Sequence, residues 1–208
     1  MVDPLGGPAY WWPLILAFLA GYLAGSIPFG LLFTRLGGAG DVRRIGSGNI
    51  GATNVLRTGR KGLAVATLLA DIAKGTLPTW LAGAWYGPDM AVMAGAGAIV
   101  GHCFPIWLKL QGGKGVATAA GVVLGLTPIV VPIALAAFTG VAWATRYVSA
   151  SSIVAAFTAP VAAWLLGYVQ AAELYLLVAV LVTLKHASNI KRLLAGTESK
   201  LSLGAKKV

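Results

Sequence analysis

The sequence predicts an all-α polytopic membrane protein with seven transmembrane helices, its N-terminus outside and its C-terminus in the cytoplasm. Three observations carry this expectation: an excess of apolar residues, the lengths of the uncharged runs, and a one-sided distribution of basic residues. Of 208 residues, 58% are hydrophobic and 11% charged, with a mean hydropathy of +0.81, whereas a soluble domain carries about 25% charged residues. So few polar groups cannot cover a globular surface, and so much apolar content excludes an intrinsically disordered chain. Glycine supplies 28 residues, about twice the usual ~7%.

The runs can be taken in order. Residues 10–33 carry no charge, enough for ~36 Å of helix. The opening Met-Val-Asp-Pro-Leu-Gly-Gly-Pro lacks the basic segment of a cleaved signal, so this run is expected to be retained as a span. Residues 62–86 are apolar apart from Asp71 and Lys74, and residues 90–108 are uncharged with one histidine. Residues 115–145 form a 31-residue uncharged stretch, ~46 Å as one helix and too long for a ~30 Å hydrocarbon core without strong tilt. Thr127-Pro128 interrupts it, and proline disfavours helix at the residue before it, so two spans are expected, 115–126 and 128–145. The remaining spans are expected at 150–168 and 170–186. A single membrane domain over 1–208 follows, with no internal repeat.

Charge sets the orientation. With seven spans, one side receives loops 34–61, 109–114 and 146–149 and the tail from residue 185, which together hold fifteen of the sixteen Lys and Arg residues. The sixteenth is Lys74, inside a run. The other side receives Asp3, Asp89 and Glu173 and no basic residue. The positive-inside rule makes the basic side cytoplasmic. The net charge of +10 lies between apolar runs rather than on a soluble basic face, which argues against nucleic acid and for anionic lipid headgroups and small anions.

Three polar clusters fall on the cytoplasmic side. The first runs from Arg43 to Arg57 and contains Gly46-x-Gly48-x-x-Gly51. A membrane span precedes it, not the strand that a dinucleotide-binding turn requires. Glycine-rich backbone still exposes N–H groups that can surround an oxyanion. Ser47, Asn49, Thr53 and Asn54 add neutral donors beside Gly48, and Arg57 can bind phosphate in bidentate fashion. The bland alternative is a loop whose arginines meet lipid headgroups. The second cluster is Gly101-His102-Cys103-Phe104-Pro105 followed by Gly112-Gly113-Lys114-Gly115. It lacks the Ser or Thr after lysine of a nucleotide-binding P-loop. Gly112, Gly113 and Gly115 nonetheless permit close backbone approach to a phosphate, with Lys114 as a point charge at the start of a helix. His102 reads equally as a packing residue or a site residue.

The third cluster, Lys185 to Glu198, would place His186, Asn189 and Arg192 on one helical face. A basic interfacial helix is the alternative. Asp71 and Lys74, at i and i+3 inside a span, are either a structural ion pair or a means of presenting Lys74 to a substrate phosphate, with Asp71 in support. Two histidines and one cysteine fall short of a metal site. No nucleophile–base–acid set and no cofactor motif is present.

In order and spacing, these clusters resemble the bacterial PlsY family, the membrane-bound acyl-phosphate:glycerol-3-phosphate acyltransferases. The matching segments are Gly46–Arg57, Gly101–Pro105 with Gly112–Thr118, and His186–Glu198, with Asp71-x-x-Lys74-Gly75 and Gly25-Ser26-Ile27-Pro28-Phe29-Gly30 between and before them. The resemblance implies transfer of a fatty acyl group from acyl-phosphate to the 1-hydroxyl of sn-glycerol 3-phosphate, giving lysophosphatidic acid and phosphate at the entry to phospholipid synthesis. It implies a site at the cytoplasmic face of the bacterial inner membrane. Ser47, Arg57 and Lys114 would act on phosphate, His186 and Asn189 would belong to the catalytic centre, and Glu198 would support them. The chemistry suits direct attack without an acyl-enzyme, because an acyl-phosphate is already activated. No cofactor is needed, and a monomer is the expected form. The rival reading is a transporter of an organic phosphate, whose site would lie nearer the midplane between inverted repeats.

Overall fold

The computed structural model describes residues 11–201. Tyr10, where the first span was expected to begin, Asp3 and the end of the basic tail lie outside the described residues. Every regular element among the described residues is helical: α1 (Trp11–Gly25), α2 (Phe29–Leu36), α3 (Ala52–Leu56), α4 (Lys61–Tyr86), α5 (Pro88–Cys103), α6 (Val116–Leu126), α7 (Val130–Thr145), α8 (Val148–Leu165), α9 (Val169–Lys185) and α10 (Ala187–Leu194), with 3-10 turns at Val42–Arg44 and Ile106–Leu108. Among the described residues, three stretches are long and apolar enough on their own to cross a bilayer: Trp11–Leu36, Pro88–Leu108 and Val148–Leu165. The pair α9 and α10, bent by 61°, passes the same test only when counted as one broken span, and α6 and α7 are shorter apolar helices.

The chain divides into two compact units, up to Pro128 and from Ile129 onward. In the first unit, glycines let the helices touch backbone to backbone. A Cβ on Gly21 or Gly25 of α1 would run into the carbonyl oxygens of Ala94 and Ala98 on α5. Reciprocally, a Cβ on Gly97 or Gly101 of α5 would meet the carbonyls of Phe18 and Tyr22. Two small-x-x-x-small stripes thus face each other, the close approach that van der Waals packing favours where lipid supplies no hydrophobic drive. Helices α4 and α6 meet in the same way, through Gly75 against Thr118 and Gly121 against Ile72. Thr76 Oγ1 adds a bond to the Gly121 carbonyl at 3.0 Å.

Two helix boundaries answer to proline. The helix ends at Leu126 and resumes at Val130, where Thr127-Pro128 predicted a break. The first apolar run is not continuous, however: it stops at Gly25 and restarts at Phe29. Pro28 lacks an N–H and pushes Ile27 away from the helical region, so α1 ends before it and α2 begins after it. Pro78 and Pro160 sit inside α4 and α8 without ending them, as neighbouring helices in a membrane allow. In the second unit, α7, α8 and α9 pack in sequence through two-residue and three-residue turns.

Candidate functional site

The loop between α2 and α4 is built on a small apolar floor. Val42, Ile50 and Val55 bury their side chains with Leu31 of α2 and Ala64 of α4, and Leu63 and Leu108 pack against them. Asp41 starts the loop by capping the first 3-10 turn. Its carboxylate accepts from the Arg43 backbone N–H at 3.0 Å, from Arg43 Nε at 2.9 Å and Nη2 at 2.6 Å, and from Arg35 Nη2 at 3.0 Å. The Arg43 guanidinium, opposed by slight burial and joined by the backbone N–H and Arg35, holds this carboxyl well below the ordinary carboxylate range. Arg43 is raised in turn by the same contact.

Asn54 closes the loop. It is 2% exposed, and its Nδ2 donates to the carbonyls of Val42 (2.9 Å), Ile45 (2.9 Å) and Asn49 (2.8 Å). Its Oδ1 accepts from the Ser47 N–H at 3.1 Å. Three carbonyls on one side and an amide on the other fix the orientation of the side chain. Gly48 N–H goes to the Ile45 carbonyl, and Gly51 N–H to Asn49 Oδ1 at 2.8 Å. Asn54 and the amides of Ser47, Gly48 and Gly51 are thus engaged within the loop. Ser47, Thr53 and Arg57 are exposed, and Arg57 Nη1 reaches back to Asn54 Oδ1 at 3.5 Å. Gly46 has φ +53°, and a Cβ on it would sit 2.7 Å from Arg57 Cδ and 2.8 Å from its Nη1. Its glycine therefore lets the arginine lie across the turn.

The second constellation is buried. Lys74 Nζ lies 2.7 Å from Asp71 Oδ1, both side chains 3% exposed. It also donates to the Ile27 carbonyl at 2.8 Å and stands 5.7 Å from the centre of the Phe29 ring. The carbonyl belongs to the α1–α2 break, so the lysine clamps α4 to that break. Asp71 and Lys74 therefore form the buried ion pair that is one of the two readings of this pair. His102, at the end of α5, faces the same Asp71 oxygen through Nδ1 at 3.8 Å.

Above His102 runs the glycine loop. Gly112 N–H donates to the Cys103 carbonyl at 3.2 Å and Gly113 N–H to the His102 carbonyl at 3.0 Å. A Cβ on Gly112 would collide with the His102 carbonyl, and one on Gly113 with His102 Nε2. Gly115, with φ +86°, caps α6. Lys114 thus stands at the entrance of an 11-residue helix, where N–H groups without intrahelical partners and the helix dipole favour an anion.

In the second unit the centre is Glu198. Its Oε1 accepts from Ser149 Oγ at 2.8 Å and Asn189 Nδ2 at 2.6 Å, and its Oε2 from Arg192 Nε at 2.7 Å. Burial alone would raise its pKa, but these bonds outweigh it and hold the carboxyl below its ordinary value. Asn189 and Arg192, one turn apart on α10, so share one partner, which Arg192 engages through Nε. The tail is further tied by the Leu201 N–H to the Arg146 carbonyl at 2.7 Å. His186 does not share a helix with Asn189. It is the hinge residue between α9 and α10, and its Nδ1 lies 2.8 Å from the Val182 carbonyl. Ser149 was missed by the sequence reading; its one signal was a serine-rich start to α8 beside Arg146.

Comparisons with known proteins agree with one another. Residues 15–196 match the family model described as glycerol-3-phosphate acyltransferase. The chain is 54% identical over 191 residues to the glycerol-3-phosphate acyltransferase of Methylorubrum populi, covering 91% of this chain and 94% of that protein. It is 54% identical over 188 residues to that of Sinorhizobium fredii, covering 90% and 91%. The crystal structure of PlsY (YgiH), an integral membrane glycerol 3-phosphate acyltransferase, superposes in its glycerol 3-phosphate form with a TM-score of 0.86 at 35% identity, covering 91% of this chain and 96% of that one. Its lysophosphatidic acid form gives 0.85 at 34%, covering 91% and 95%. With its all-helical architecture and matched length, this chain belongs to the PlsY family of glycerol-3-phosphate acyltransferases.

Proposed function

We propose that the protein transfers a fatty acyl group from acyl-phosphate to the 1-hydroxyl of sn-glycerol 3-phosphate, releasing lysophosphatidic acid and inorganic phosphate. The reaction takes place at the cytoplasmic face of a bacterial inner membrane, in a seven-span protein with its N-terminus outside. The observation that carries this reading is the glycine loop at the start of α6, where Gly112 and Gly113 are tied down and Lys114 follows at a helix N-terminus. Ser47 and Arg57, displayed by a loop that satisfies its own polar groups, supply further phosphate contacts.

The hydroxyl oxygen attacks the acyl carbonyl carbon, the bond from that carbon to the phosphate oxygen breaks, and phosphate leaves. The leaving group is already good, so positioning and charge stabilisation supply most of the acceleration. The hydroxyl proton goes to His186 or to a substrate phosphate. A backbone carbonyl only accepts, so the contact with Val182 makes Nδ1 the protonated nitrogen of neutral His186 and Nε2 its basic one. This favours His186 Nε2. Asn189, anchored by Glu198, acts beside it.

Purified protein should release phosphate from acyl-phosphate only when glycerol 3-phosphate is added. Release without the acceptor, or none with it, overturns the assignment, and uptake of glycerol 3-phosphate into vesicles without acylation would indicate a transporter. Across pH, H186A should lose activity together with the acid-side fall of the profile, where a histidine base would be protonated. A near-normal rate with an unchanged profile moves the proton to the substrate phosphate.

A further inference from the structure

We infer that His102 is a positioning residue for the glycine loop, acting as a spacer braced by Asp71 beneath Gly113 and so setting the place of Lys114. The inference rests on the acyltransferase reading above but concerns a different residue, which reaches the phosphate loop only from below.

The geometry runs in one direction through the first unit. Lys74 is bound to Asp71 at 2.7 Å and to the Ile27 carbonyl at 2.8 Å, which fixes the carboxylate between α4 and the α1–α2 break. His102 Nδ1 faces that carboxylate at 3.8 Å. The opposite edge of the same ring lies directly against Gly113, where a Cβ would occupy the position of Nε2 and come within 2.7 Å of Cε1. The His102 carbonyl meanwhile receives the Gly113 N–H at 3.0 Å. One residue therefore touches the loop through both its backbone and its ring.

Gly113 explains itself only through this contact. Its φ is not in the left-handed region, unlike that of Gly115 at +86°, so backbone conformation does not demand glycine there. Space does. Interiors are packed tightly enough that a shift of one methyl width is transmitted rather than absorbed. The loop height, and with it the residue that follows, depends on the imidazole below.

The test uses the purified full-length protein, with kinetics for glycerol 3-phosphate and for acyl-phosphate measured separately. His102→Asn keeps a polar atom toward Asp71 but removes the ring atoms that touch Gly113. Gly113→Ala adds the methyl that collides with the ring. H102N should raise KM about fivefold or more for one of the two phosphate substrates, the one the glycine loop holds, with KM for the other unchanged and kcat within about twofold. G113A should raise the same KM further, about tenfold or more. The double variant H102N/G113A should recover much of the G113A defect, because the new methyl fills the vacated space. Additive defects, or equal losses for both substrates, overturn the inference. If H102N does not survive purification, G113A decides alone: wild-type KM values for both substrates sink the proposal. A wild-type protein with no acceptor-dependent activity would instead fail the acyltransferase reading, which separates the two outcomes.

Discussion

Asn54 offers the sharpest test of how the first loop is held. Its side chain makes three donor contacts at 2.8–2.9 Å and accepts from the Ser47 N–H at 3.1 Å and, at the long limit of 3.5 Å, from Arg57 Nη1. Two protons serve three carbonyls, so one contact is shared, and about three full hydrogen bonds are at stake. At ~0.5–1.5 kcal/mol each, with more where a buried group is left unmet, Asn54→Ala should weaken closure of the loop by about 3 kcal/mol. That equals roughly a hundredfold in the opening equilibrium. Hydrogen exchange in detergent micelles should report it directly, as loss of about two orders of magnitude of protection at the Ser47, Gly48 and Gly51 amides. Asn54→Asp is the discriminating variant. It preserves shape and the acceptor toward Ser47 but turns a carboxylate oxygen toward three carbonyls, so it should open the loop more than alanine does. Acyltransferase activity should follow, since Ser47 and Arg57 ride on this loop. If N54D proves milder than N54A, or if exchange is unchanged in both, Asn54 does not clamp the loop and the outward phosphate role expected from sequence is favoured.

Arg57→Ala and Lys114→Ala should each cut kcat/KM for glycerol 3-phosphate by more than about tenfold, the loss of a charge-assisted bond worth ~1.5–3 kcal/mol; wild-type kinetics in both would remove them from the site. Gly121→Ala drives a methyl into the Ile72 carbonyl and should cost about 1–3 kcal/mol as overpacking, seen as a lower Tm. Gly140→Ala, where a Cβ meets nothing within 4 Å, should leave Tm unchanged or slightly raised, and equal effects at the two positions would contradict the close approach of α4 and α6. Glu198 has a folded pKa below its ordinary value, so its stabilising contribution is present above about pH 4.3, the usual glutamate range. It is lost as pH falls through the lower folded value. Proteolysis of the 196–201 segment should therefore accelerate in acid for wild type, while Glu198→Gln should be loosened already at neutral pH and change little. Parallel acid profiles would refute the role of the carboxylate.

Which features were legible in the sequence follows from how far each cause reaches along the chain. The break after Leu126 was readable because its cause, Thr127-Pro128, is local and the run around it was too long for one span. The break at Pro28 was not readable, because the sequence contains other prolines, at 78 and 160, that interrupt nothing. What separates them is packing: at Pro28 the exposed Ile27 carbonyl finds the Lys74 ammonium, 47 residues away, and no local pattern announces that partner. The same limit governs the site residues. Residue type and spacing marked the three polar clusters, since phosphate chemistry needs cations, donors and glycine, and the family resemblance picked out Ser47, Arg57, Lys114, His186 and Asn189 within them. Type and spacing did not separate the residues facing outward from those facing in. Asn54 and Ser47 are both short polar residues of one loop, yet the floor of Val42, Ile50 and Val55 turns one inward and leaves the other exposed. Ser149 shows the extreme case: its bond to Glu198 spans 49 residues, and serine at the start of a helix is unremarkable until the carboxylate arrives. In a chain this apolar, each buried polar side chain needs a partner. The polar residues are therefore where sequence marks importance and folding alone assigns the task.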